Sequence, residues 1–203
     1  MRESETFNFQ LVDNNLMVGQ TFHDLYLGLG QRAYGRMQQH WSPLVRAQYL
    51  RIPVLGIQAW LLRGTAAVAA AEELTESGRR NEAGARLRDA LRASKALSGQ
   101  PLPRAQAMAL LIATAIAHQR GGQAQARQLL QAALSRFEEA EMAMYAAATR
   151  LRLGQLLGGA HGEALIAGAR AHMAAERIAN PEPMLSMLAP GFQKLPATCA
   201  ALS

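Results

Sequence analysis

Glycine punctuation constrains this chain more than any other feature. Gly28-Leu-Gly30, Ser77-Gly78, Gly121-Gly122 and Gly158-Gly159 each fall between two stretches with helical periodicity. A glycine at such a boundary accepts the left-handed conformation in which helices commonly stop, so each flanking pair predicts a helix that turns back on its neighbour. Ala and Leu carry the apolar half of the composition and aromatic residues make up only 5%. Little of the β-branched and aromatic material that favours strands is left, and an all-α fold is expected.

Prolines and capping residues place the other boundaries. Leu16–Leu27 and Gln31–His40 read as the first pair of helices. Ser42 as a cap with Pro43 in the first turn predicts a helix from Pro43 to about Thr75, with a kink or short break where Pro53 removes a backbone donor. Asn81 caps a helix from Glu82 to Leu97, and Pro103 opens the next after the break at 98–103. Two further hairpins follow, 104–119 with 123–139 and 141–157 with 162–178, and then a short helix at 182–188 beyond Asn180-Pro181. The organisation expected is a linker or truncated helix at 1–14, one helical-repeat domain at 15–192 and a flexible tail at 193–203.

The second helices of the four hairpins share a mark. A small residue stands one to five positions after each turn glycine, followed four positions on: Ala33 with Met37, Ala83 with Leu87, Ala126 with Leu130, Ala164 with Gly168. Ala90, Ala133 and Ala171 extend the last three along one helical face. Small residues at that place let stacked helices approach closely. Separations of 50, 43 and 38 residues exceed the roughly 34 of an ideal tetratricopeptide repeat. The architecture expected is a degenerate tetratricopeptide-like α-solenoid of about four helical hairpins.

Particular stretches resemble one family. His23-Asp-Leu-Tyr-Leu-Gly28 with Ala33-Tyr34, Trp41 and Leu44, then Met144-Tyr-Ala-Ala-Ala148 with Arg150-Leu-Arg-Leu-Gly154 and Leu156-Leu-Gly-Gly159, are similar to the C-terminal repeat region of bacterial serine/threonine protein kinases with an ATPase module. The ending Ala174-Ala-Glu-Arg-Ile178-Ala-Asn-Pro181, with Met184 and Leu188-Ala-Pro-Gly-Phe192, carries the resemblance furthest, and the match covers roughly 20 to 192. The resemblance implies tetratricopeptide-like repeats acting as a sensor or regulatory module. Pro53 departs from the unbroken helix of that family, eleven residues follow Phe192, and the kinase and ATPase parts are absent from this sequence. Neither activity is therefore implied.

The motifs of chemistry lack their contexts. Gly28-Leu-Gly30-Gln-Arg-Ala33 matches a dinucleotide-binding pattern as text, but it follows a helix rather than a strand, and no acid appears before Glu72 to bind a ribose. There is no phosphate loop, His-Arg-Asp or Asp-Phe-Gly. The five histidines, His23, His40, His118, His161 and His172, never stand four apart as a helical metal site requires. No catalytic residue, cofactor or metal is expected, and the chain reads as no enzyme.

Charge points toward partners. Lys+Arg number 21 against 15 for Asp+Glu, a net charge of +6, and no acid occurs from Leu25 to Ala71. Arg32, Arg36, Arg46 and Arg51 fall in that stretch and favour an acidic protein or peptide, with Trp60 as an aromatic anchor. The function expected is a non-catalytic interaction scaffold. A basic nucleic-acid-binding accessory domain is the alternative, built on Arg88, Arg92 and Lys95, but Glu82 and Asp89 interrupt that stripe. Tyr34, Trp41 and Tyr145 are expected in the core. The longest strongly apolar run, Ala107–Ala117, is shorter than the about 20 residues needed to span a bilayer, so no membrane is expected. The polar N-terminus and the single Cys199 make a cytoplasmic location the expectation.

Overall fold

The computed structural model of the chain describes residues 10–192. Among the described residues there are nine α-helices and no strand: α1 (Leu11–Tyr26), α2 (Gly30–Arg46), α3 (Pro53–Glu76), α4 (Arg80–Ser98), α5 (Pro103–Gln119), α6 (Gln123–Glu139), α7 (Ala143–Leu157), α8 (Gly159–Ala175) and α9 (Pro181–Leu188). A 3-10 turn, Tyr49–Arg51, sits between α2 and α3. The expected Cys199 tail lies outside the described residues.

One turn geometry is reused. At Gly28 the N–H bonds back to the Leu25 carbonyl at 3.0 Å, and the next N–H, of Leu29, reaches the Asp24 carbonyl at 2.8 Å. Paired bonds of this kind about a left-handed residue satisfy the last carbonyls of a helix. The same two bonds recur about Gly78, Gly121, Glu141 and Arg177, all with φ between 56° and 82°. The first four of these five are followed by a new helix two residues later. Such short turns make consecutive helices antiparallel neighbours. The α7–α8 turn differs: Gly158, at φ 64° and ψ −172°, occupies a region open essentially to glycine alone and starts α8 at once.

Several expected boundaries move, α1 among them, which begins at Leu11. Pro43 lies inside the last turn of α2 instead of opening a helix, because Tyr34, Met37, Trp41 and Leu44 continue one apolar stripe across it and Leu44 is fully buried. Near the end of a helix the donor lost at a proline is a single bond, and burial of that stripe outweighs it. Pro53 then serves as the first residue of α3, so the interruption expected there is a complete break. Helix α8 likewise begins at Gly159, three residues before the expected start.

The fourth repeat mark moves as well. Ala33, Ala83 and Ala126 are buried and stand fourth in their helices, but Ala164 and Gly168 are exposed. The fourth residue of α8 is Gly162, with Ile166 and Ala169 following it along the packed face. In a helix this rich in alanine, alanine alone does not single out the contact.

Each helix from α1 to α8 packs on its neighbours in sequence. First members of successive pairs also touch, α1 with α3 and α3 with α5, while no comparable contact links one second member to the next. Helices α1, α3 and α5 thus form one layer, the inner layer. Helix α3, not the 107–117 run, is the most extended apolar element: its 24 residues are long and apolar enough to cross a bilayer by length and composition, and 67% of its most apolar window is buried here against other helices. The helix α9 turns back across the inner layer, resting on α1, α3 and α7.

Candidate functional site: an inner groove filled by the C-terminal segment

The floor of the groove comes from α3 and α5. Leu61, Thr65, Val68, Leu111, Ile112 and Ala115 line it beneath Leu188 and Pro190. They lie at spacings of three and four along two adjacent helices, which puts them on facing surfaces. Leu185, Leu188 and Phe192 are buried against the core, at 0%, 7% and 3% exposure. Burying a side chain of this class contributes about 1.5–3 kcal/mol.

Beyond α9 the chain is no longer helical, and side chains hold its backbone. The Gly191 N–H donates to Glu72 Oε2 at 3.2 Å, and Arg152 Nε–H donates to the Ala189 carbonyl at 3.0 Å. The Phe192 ring stacks on His118 with centroids 5.2 Å apart, and the Arg152 guanidinium lies 5.4 Å from the same ring. Gly191 has φ 92° and no room for a side chain: a Cβ there would meet Val68 Cγ1, with Ala115 Cβ and Gln119 Nε2 both at 2.9 Å. Both its conformation and its surroundings therefore require glycine.

The groove is electrically unusual. Arg152 is buried at 3% exposure, and its hydrogen bonds go to the Ala189 carbonyl and to Gln155 Oε1 at 3.0 Å, both neutral. Burial lowers its pKa to about 10, while the charges of Glu72 and Glu182 act to raise it. Taking a cation out of water without a carboxylate in hydrogen-bond contact costs several kcal/mol. Docking of 185–192 therefore gains apolar burial and opposes it with a desolvated charge. Burial also holds His118 below its ordinary 6.5; Gln123 Oε1, 3.2 Å from Nδ1, works against that lowering and Arg152 adds to it. Beside Ser186 and Pro190 a cavity of about 60 Å³ opens onto Glu72, Glu73 and Glu76. Gln119 donates through Nε2 to the Val68 carbonyl at 3.1 Å, but its Oε1 is buried without a donor.

The residues expected to bind a partner fall in three places. Arg32 and Arg36 converge on Asp24, which is fully buried: Arg32 Nε lies 3.0 Å from Oδ1, and Arg36 donates to Oδ2 from Nε at 3.1 Å and from Nη2 at 2.8 Å. They edge an open cleft of about 420 Å³ between α1 and α2. Arg46 lies about 15 Å further along α2, ten residues on at the 1.5 Å rise of a helix, and Arg51 is in the 3-10 turn; both are exposed. Trp60 stands on α3, packed edge-on against Trp41 at 4.6 Å, with the Arg63 guanidinium 4.0 Å over the Trp41 ring. Trp41 and Tyr145 are only partly buried, whereas Tyr34 is in the core.

The remaining motifs find local roles. The Gly30 and Gln31 N–H groups at the start of α2 both donate to Glu73 Oε1, so a protein carboxylate stands where the dinucleotide pattern would hold a phosphate. Arg92 pairs with Asp89, which also accepts from Tyr34 and Gln38, and Arg79 pairs with Glu82; Arg88 and Lys95 are exposed on α4. No group of three or more potential metal ligands occurs among the described residues. No local sequence signal marks the groove, because Gly191 and Glu72 are 119 positions apart.

The fold and groove define a class: among the described residues, an all-α protein of sequentially packed helical hairpins whose residues 181–192 lie in its own groove. Comparison of the chain with protein-family models, curated proteins and solved structures returns no match.

Proposed function

We propose that this chain is a non-catalytic protein-interaction scaffold, a tetratricopeptide-like α-solenoid of four hairpins that serves as a sensor or regulatory module of a bacterial signalling kinase or ATPase. The observation that carries the reading is the seat of residues 189–192. There a non-helical backbone is held by a side-chain acceptor, a side-chain donor and a ring stack on the inner helices. Solenoids present extended inner surfaces suited to peptides held in this way. The recurrent turn and the small fourth residue of each second helix support the repeat reading. The resemblance to kinase-associated repeat regions supports the regulatory one.

Arg46 and Arg51, exposed beyond the reach of Asp24, favour an acidic partner at the outer edge of the array. The test uses the full chain with a bacterial signalling kinase or ATPase. Calorimetric titration should detect a complex, weakened when Arg46 and Arg51 are both changed to Ala, and the rate of phosphoryl transfer or ATP hydrolysis should change on complex formation. The absence of both a complex and a change in rate would sink the reading.

A further inference from the structure

The groove makes demands on its occupant that an ordinary packing surface does not. At Gly191 it accepts a residue with φ 92° and no Cβ, pinched between α3 and α5. One residue later it takes an aromatic ring between His118 and Arg152. At two points it reads backbone only: the Ala189 carbonyl by Arg152 and the Gly191 N–H by Glu72. Pro190 precedes the glycine and fixes the approach. Those contacts select glycine and then an aromatic ring, with Pro190 seated on the groove floor before them, and the two backbone contacts would be satisfied by any chain in that pose.

The present occupant leaves the site incompletely used. Arg152 meets only neutral acceptors, and Gln119 Oε1 has no donor. Besides its apolar contacts and hydrogen bonds, the segment is held by a tether. The stretch from Glu176 to Asn180 joins α8 to α9 and is largely exposed. A short tether supplies an effective concentration on the order of millimolar, so a modest intrinsic affinity suffices to fill the site in cis.

We propose that the groove is a binding site for Pro-Gly-aromatic peptide segments, kept closed by the chain's own Leu188–Phe192, and that it takes a partner segment of the same chemistry in trans when that stretch is displaced. The proposal rests on the scaffold reading and names both its ligand and its regulation. The partner's segment carries apolar residues in a short helical turn, then the glycine that the pinch selects, then an aromatic ring. A free peptide competes poorly with the tethered copy, and any event that draws the C-terminal segment away opens the site.

The test is a titration of a fluorescein-labelled peptide with the sequence of Pro181–Phe192, followed by anisotropy. It is run against the full wild-type chain and against the full chains Gly191→Val, whose segment no longer fits, and Phe192→Ala, whose segment loses its ring contacts. Each variant should bind the peptide at least tenfold more tightly than wild type, and a peptide carrying the same Gly→Val change should bind none of them. The proposal falls if the variants retain their helical circular dichroism yet do not bind, or if the glycine-free peptide binds equally well. It falls also if both variants lose their helical signal, because the segment is then part of the core and not its ligand. Peptide binding without any kinase or ATPase complex would sink the scaffold reading's regulatory role alone; the complex without peptide binding would sink this inference alone.

Discussion

The Arg152 guanidinium donates its Nε–H to the Ala189 carbonyl at 3.0 Å, across 37 positions of sequence, and this bond ties α7 to the segment that closes the inner groove. Truncation to Arg152→Ala leaves that carbonyl buried without a donor, at a cost of about 1–3 kcal/mol. It also relieves the burial of a cation, so global stability should move less than local order. Amide exchange is the discriminating measurement. Protection at Ala189 and Gly191, whose N–H groups bond to the Leu185 carbonyl and Glu72, should fall about tenfold, equivalent to roughly 1.4 kcal/mol. Protection in α3 and α4 should be unchanged, and equal loss throughout would show that Arg152 supports the whole array instead.

Acid should loosen the fold through His118. Its imidazole is held below 6.5 mainly by burial, with Gln123 opposing and Arg152 reinforcing, and the Phe192 ring covers one face. Near pH 7 it is neutral folded and unfolded, and contributes no penalty. As pH falls below about 6.5 the unfolded chain takes up the proton first, so stability drops until the folded value is also passed. His40 is lowered in the same direction by burial and by Arg36, against Asp13. Urea denaturation at pH 7.5 and 5.5 should therefore show a loss for wild type, a smaller loss for His118→Gln, and the smallest for His118→Gln with His40→Gln. An unchanged difference in the double variant would remove both histidines from the account.

The turn between α6 and α7 places an ordinary residue where three of its counterparts use glycine. Glu141 has φ 56° and makes the same paired turn as Gly28, Gly78 and Gly121. A side chain in that conformation costs roughly 1–2 kcal/mol, while glycine adds about 0.5–1 kcal/mol of unfolded-chain entropy. Glu141→Gly should raise stability by a few tenths of a kcal/mol to about 1 kcal/mol, and Glu141→Val should lower it, since β-branched residues tolerate the region least. Thermal melts of the three proteins check the order; Val equal to Glu would mean that the turn adjusts freely.

Much of the helix pattern was legible because glycine and proline act locally. The turns at Gly28, Gly78 and Gly121 and the start at Pro103 fall where their residue types place them. Pro43 was misread because Ser-Pro is a local signal for a helix start, whereas the burial of Leu44 that carries α2 past it is tertiary. The groove was invisible for a related reason. Pro-Gly-Phe reads as the end of a structured region, and nothing near residue 191 in sequence announces Val68, Ala115, His118 or Arg152 as its surroundings. Arg32 and Arg36 were visible as charges, but their partner Asp24 lies immediately before the acid-free stretch that drew attention to them.

The register of the last hairpin offers the sharpest test of the packing, because two glycines in it answer oppositely to the same change. A Cβ on Gly154 of α7 would stand 2.6 Å from the Gly162 carbonyl oxygen of α8 and 2.8 Å from Ile166 Cγ1. The oxygen belongs to a helix backbone, which cannot step aside as a side-chain tip can, so the helices must separate. Overpacking of this kind costs about 1–3 kcal/mol. Gly168, also in α8, has nothing within 4 Å of the corresponding position, and alanine there should gain about 0.5–1 kcal/mol by reducing the freedom of the unfolded chain. In urea titrations Gly154→Ala should shift the midpoint down and Gly168→Ala should shift it up, with the slope unchanged in both. If Gly154→Ala is neutral, α7 and α8 do not cross at Gly162, and the alignment of the fourth hairpin with the other three is wrong.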